Sequence, residues 1–99
     1  MTAKLVAAAL ALAAAAAHAQ EKPVARSLAA TCASCHGTDG RSVTAEVVSL
    51  AGLPKEHIVA QMKAFRDGTR PATVMQQLAK GYSDAQIELV ADYFSRRPR

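Results

Sequence analysis

Tryptophan is absent from this chain, and only four aromatic side chains occur in it: Phe65, Tyr82, Tyr93 and Phe94. That scarcity removes the stacking platforms on which single-stranded nucleic acids are held. Charge offers no substitute. The 12 basic and 8 acidic residues leave an excess of +4, which is mild and not gathered into a dense basic patch. Nucleic acid is therefore not the expected partner. The basic groups fit better with steering toward an acidic protein surface, or with plain solubility. No β-rich run and no internal repeat interrupts the chain. Cysteine is scarce as well: two residues, both inside Cys32-Ala33-Ser34-Cys35.

The N-terminus is different in character. Met1 to Lys4 carries one positive side chain, Leu5 to Ala17 is unbroken apolar sequence, and Ala17-His18-Ala19 is a small-x-small triplet. Together these form the pattern of a secretory signal peptide over residues 1–19, with Gln20 as the new N-terminus. A retained membrane anchor fits less well, because spanning takes about 20 apolar residues. No lipobox cysteine marks a lipoprotein. The expected product is a single domain over residues 20–99, exported to the periplasm with no stable membrane insertion. A domain that short has a thin core and gains from a staple, a metal or a partner.

The domain reads as all-α, with three principal helices and one short one. Pro23 suits a first turn, and Val24, Leu28 and Cys32 repeat at helical spacing with Ala25 and Ala29 alongside, to about Ala33. Gly37, Asp39 and Gly40 mark a turn. Residues 41–53 form a loop whose Val43, Val47, Val48, Leu50 and Leu53 are placed to cover a prosthetic group. Pro54 opens a helix to about Asp67, with Ile58, Met62 and Phe65 on one side. Gly68 ends it. Val74 to Lys80 forms the short helix. Ser83 and Gln86 make a capping box for the last helix, which runs to about Arg96 with Ile87, Val90, Ala91 and Phe94 inward.

The chemistry lies in Cys32-Ala33-Ser34-Cys35-His36, a Cys-x-x-Cys-His motif that reads as c-type haem attachment. Two thiols at this spacing reach two vinyl groups on one porphyrin edge, and the adjoining histidine is then set beneath the iron. A bare redox dithiol or disulfide would not need His36. Zinc wants four ligands, and only His57 is left over in the exported part. The expected group is one covalent haem c. Its second axial position has three candidates. Met75 follows the connector at residues 69–73 and approaches from a loop. Met62 lies mid-helix on an apolar face, where methionine is usually core. His57 sits in a first turn beside charged residues. An open iron is the remaining option.

Several segments carry a resemblance to a known family. They are Cys32–Gly37, Leu50-Ala51-Gly52-Leu53, Gln61 to Arg70, Ala72-Thr73-Val74-Met75 and Leu78 to Asp84. Residues 23–97 resemble a small class I cytochrome c of the bacterial monohaem type, and are similar in particular to the cytochrome subunit of flavocytochrome c sulfide dehydrogenase. The resemblance implies a cytochrome c fold, with Cys32 and Cys35 as thioether donors, His36 as proximal ligand and Met75 as distal ligand. It also implies a first helix crossing the last, with Leu28 near Val90 or Phe94. Some such subunits hold two haem domains, whereas only one Cys-x-x-Cys-His occurs in this chain.

The function expected is electron transfer rather than catalysis, either as a free carrier or as the haem subunit beside a sulfide-oxidising flavoprotein. An exposed haem edge rimmed by some of Lys55, Lys63, Arg66, Arg70 and Lys80 would suit either. The competing reading is a haem enzyme or gas sensor with an open sixth coordination position. Peroxidase chemistry would ask for a polar distal group, for which His57 is the one neutral-range candidate.

Overall fold

A computed structural model describes the backbone of residues 2–99 and the side chains of residues 2–11 and 23–99. Helix α1 runs over Thr2–Ala30, α2 over Ala33–His36, α3 over Lys55–Asp67, α4 over Met75–Ala79 and α5 over Asp84–Ser95. A 3-10 turn at Thr38–Gly40 follows α2. There is no strand among the described residues. The all-α expectation holds.

The start of the first helix differs from expectation. Pro23 lies inside α1 rather than in its first turn. The alanine- and leucine-rich sequence ahead of it has high helix propensity, which carries the helix through. The cleavage triplet Ala17-His18-Ala19 lies outside the described side chains. Among the described residues no helix is long and apolar enough to cross a membrane.

The other end is also earlier than expected. α1 closes at Ala30, where the Cys32 amide donates to the Ala29 carbonyl at 3.1 Å. α2 is then a separate turn, with the His36 amide donating to the Cys32 carbonyl at 2.9 Å. The buried stripe of α1 is Ala25 and Ala29, while Val24 is 52% exposed. Small side chains on that stripe let the helix lie close against α5, where Ile87, Val90, Ala91 and Phe94 are buried. Leu28 and Cys32 pack at the edge of this cluster.

Helices α3 and α5 follow their sequence signals. Pro54 precedes α3, and Gly68 closes it with φ +79°. Such left-handed backbone favours glycine. Ser83 caps α5: its side chain accepts from the Gln86 amide at 3.2 Å while the Gln86 side chain accepts from the Ser83 amide at 3.0 Å. Ile58 and Met62 of α3 join the same core.

Candidate haem site

Each α-helix after α1 contributes to one cavity of about 560 Å³. That size suits a bound organic group. Cys32, Cys35 and His36 line it from the end of α1 and from α2. Val48, Leu50 and Leu53 close it from the loop, and Ile58, Met62 and Phe65 from α3. Val74, Met75 and Leu78 come from α4 and the residue before it, with Tyr82 just beyond. Val90 and Phe94 of α5 complete the wall. The four residues expected to hold the haem thus share one cavity.

Backbone geometry fixes the motif. Gly37 has φ +84°, and a Cβ there would lie 1.8 Å from the Arg41 carbonyl oxygen. No other residue fits. The chain reverses at this point and returns along the loop, which carries Val48 back to His36. His36 Nδ1 and the Val48 carbonyl oxygen are 2.7 Å apart. A carbonyl only accepts, so Nδ1 carries the proton and Nε2 is the nitrogen left for a metal. Such a bond also fixes the ring's orientation. Nothing in the sequence distinguishes Val48 for this role, because the acceptor is its backbone.

Cys32 is half-buried and Cys35 exposed. Burial pushes the Cys32 thiol up from its ordinary value, against a lowering hydrogen bond from Thr31. A reactive thiol wants the opposite shift. Among the described residues no group of three or more His, Cys, Asp or Glu side chains is placed to hold a bare metal ion.

The apolar lining tests whether a haem fits. Val48, Val74 and Leu78 are 58%, 54% and 52% exposed, and all three line this cavity. A flat apolar group seated there would cover them. That adds burial where a short chain needs it. Val43 is the exception among the loop's expected anchors: it is 94% exposed and turned away. Met62 is buried, as expected, yet also faces the cavity, and exposed His57 reaches the lining as well.

Of the five basic residues from which a rim was expected to be drawn, Arg70 lines the cavity. Its guanidinium sits 4.6 Å from the Phe65 ring centroid and donates to Gln61. Lys55 instead pairs with Glu88 at 3.2 Å, and Arg66 with Asp84 at 2.7 Å. Acidic partners from α5 and its start draw these two away.

A cytochrome c family model matches residues 22–96. The chain belongs to the cytochrome c family. Members of this family bind covalently attached haem c, for which this chain has one cysteine pair, Cys32 and Cys35. Among its relatives, the cytochrome subunit of sulfide dehydrogenase from Chlorobaculum tepidum is 43% identical, over 74% of this chain and 69% of that protein. The thiosulfate dehydrogenase electron acceptor of Thiomonas intermedia is 41% identical over 69% of this chain, but the match spans only 32% of the acceptor. Among solved structures, cytochrome c4 of Acidithiobacillus ferrooxidans superposes with a TM-score of 0.62 at 41% identity, covering 65% of this chain and 37% of that one. These relatives are cytochromes and electron-acceptor subunits, in keeping with an electron carrier that does no bond chemistry of its own.

Proposed function

We propose that residues 1–19 are a cleaved signal peptide and that residues 20–99 work in the periplasm as a monohaem electron carrier. Cys32 and Cys35 hold the haem, His36 Nε2 is the proximal iron ligand and Met75 the distal one. The observation that carries this reading is the shared cavity, in which His36 has its Nδ1 proton committed to Val48 and Met75 arrives on a separate element. When bound, the haem supplies reversible one-electron chemistry at its iron.

The chain's own residues do the rest. The His36–Val48 bond holds the imidazole in one tautomer and one orientation. The soft Met75 thioether favours the ferrous state and a higher potential. The apolar wall of Leu50, Leu53, Ile58 and Phe65 limits water, and so tunes the potential further. No side chain is asked to move a proton. The similarity to a sulfide dehydrogenase cytochrome subunit supports a flavin-containing, sulfide-oxidising protein as electron donor. In that arrangement catalysis belongs to the partner.

Optical spectra of the haem-loaded protein and of Met75→Ala test the ligand set. The expected wild type is low-spin in both redox states, with a weak ferric sulfur–iron charge-transfer band that Met75→Ala loses. A band that survives the substitution would move the ligand to Met62. A high-spin wild type that binds carbon monoxide rapidly would favour the open-site enzyme or sensor instead.

A further inference from the structure

Met75 enters the cavity on a stretch of chain, residues 69–82, that is fastened to α3 at both ends. At its start, the Arg70 amide and the Thr69 hydroxyl donate to the Ala64 carbonyl at 3.2 and 3.3 Å. At its end, Arg66 donates to the Tyr82 carbonyl at 3.4 Å and pairs with Asp84. These ties hold the arm to α3. They do nothing to hold it against the half of the site that carries Cys32 and His36.

One hydrogen bond makes that second connection. The Tyr82 hydroxyl lies 3.0 Å from the Thr31 hydroxyl, across 51 residues of sequence. Among the described residues it is the one side-chain hydrogen bond between this arm and the segment around the cysteine motif. Thr31 in turn donates to the Leu28 carbonyl at 3.4 Å, in the last turn of α1. Either hydroxyl can serve as the donor of the Thr31–Tyr82 bond. Both residues line the cavity, and Thr31 directly precedes Cys32.

We infer that Tyr82 is a positioning residue for Met75, and that its bond to Thr31 clasps the Met75 arm to the cysteine-bearing half of the site. This rests on Met75 as the iron ligand. Opening the arm lets Met75 leave, so the clasp sets how often the sixth position is free. Its loss changes the population of the open state more than the fold, because the ties to α3 remain.

The test is imidazole binding to the ferric, haem-loaded protein, since imidazole must displace Met75. Tyr82→Phe keeps the ring and deletes the hydroxyl. It is expected to raise apparent imidazole affinity about three- to tenfold, the range for one net hydrogen bond. Thr31→Val should do the same, the double variant should go no further than either, and Thr31→Ser should behave as wild type. Unchanged affinity in Tyr82→Phe, or effects of the two substitutions that multiply independently, would overturn the clasp. A wild type that binds imidazole as readily as Met75→Ala would instead overturn the ligand assignment, so the two failures are distinguishable.

Discussion

Gly40→Ala is the substitution whose cost can be worked most fully from the structure. Gly40 has φ +77°, and a Cβ there would lie 2.7 Å from Phe94 Cδ1 and 3.0 Å from the Ala51 amide nitrogen. The left-handed backbone alone costs a non-glycine residue about 1–2 kcal/mol. The contact adds overpacking, about 1–3 kcal/mol, because Phe94 is 2% exposed and its ring has nowhere to turn. The total is about 2–5 kcal/mol. At this chain size that lowers the melting temperature by roughly 10–40 °C. The same residue ties the loop: its carbonyl accepts from the Leu50 amide at 2.7 Å and the Ala51 amide at 3.2 Å. Haem-loaded wild type and variant would be unfolded in urea and followed by helical circular dichroism. Repeating the change in a Phe94→Leu background separates the two contributions. The cost should shrink there toward the backbone share, about 1–2 kcal/mol, with the Ala51 contact left in place. A cost under about 1 kcal/mol, or the same cost in both backgrounds, would refute the steric reasoning.

Three further outcomes are expected. Ser83→Ala removes the side-chain oxygen that accepts from the Gln86 amide, one of the two hydrogen bonds of the α5 capping box, and should cost about 1 kcal/mol, with faster amide exchange confined first to that helix's opening turn. Hydrogen bonding to Arg66, reinforced by its charge, holds the Asp84 carboxyl below its ordinary value. A depressed folded value makes the stabilisation full above about pH 4 and lost as pH falls through that value, so the urea midpoints of wild type and Asp84→Asn should converge in acid. The hydrogen bond to Asp39, at 2.8 Å, and then burial push the Tyr93 phenol above its ordinary value. That contribution is full below about pH 10 and lost as pH rises through the raised value, so wild type should lose more stability in alkali than Tyr93→Phe.

How much the sequence discloses depends on where each signal sits. Pro54, Gly68 and the Ser83/Gln86 pair are local chemistry, and they mark the bounds of α3 and α5 to within a residue or two. The Cys-x-x-Cys-His motif and Met75 stand out by residue type, and they do fall in one cavity. What the sequence hides is carried by backbone groups or by distant partners. The break at Ala30 is made by main-chain hydrogen bonds, and the acceptor for His36 is a carbonyl that every residue possesses. Glu88 and Asp84 lie 33 and 18 positions from Lys55 and Arg66, the two rim candidates they pair with, and no local pattern announces those pairs. Val43 has the same apolar character as Val48, and only the loop's path decides that one covers the cavity and the other faces solvent.

The central claim is that the cavity holds one haem covalently bound through Cys32 and Cys35, and intact mass measurement tests it most directly. The full chain would be produced in a host with a periplasmic haem-attachment system, denatured, and weighed beside the Cys32→Ala, Cys35→Ala double variant. The account predicts a species beginning at Gln20 that carries the mass of exactly one haem through denaturation, and a double variant that carries none. A wild-type chain with the mass of bare polypeptide would contradict it.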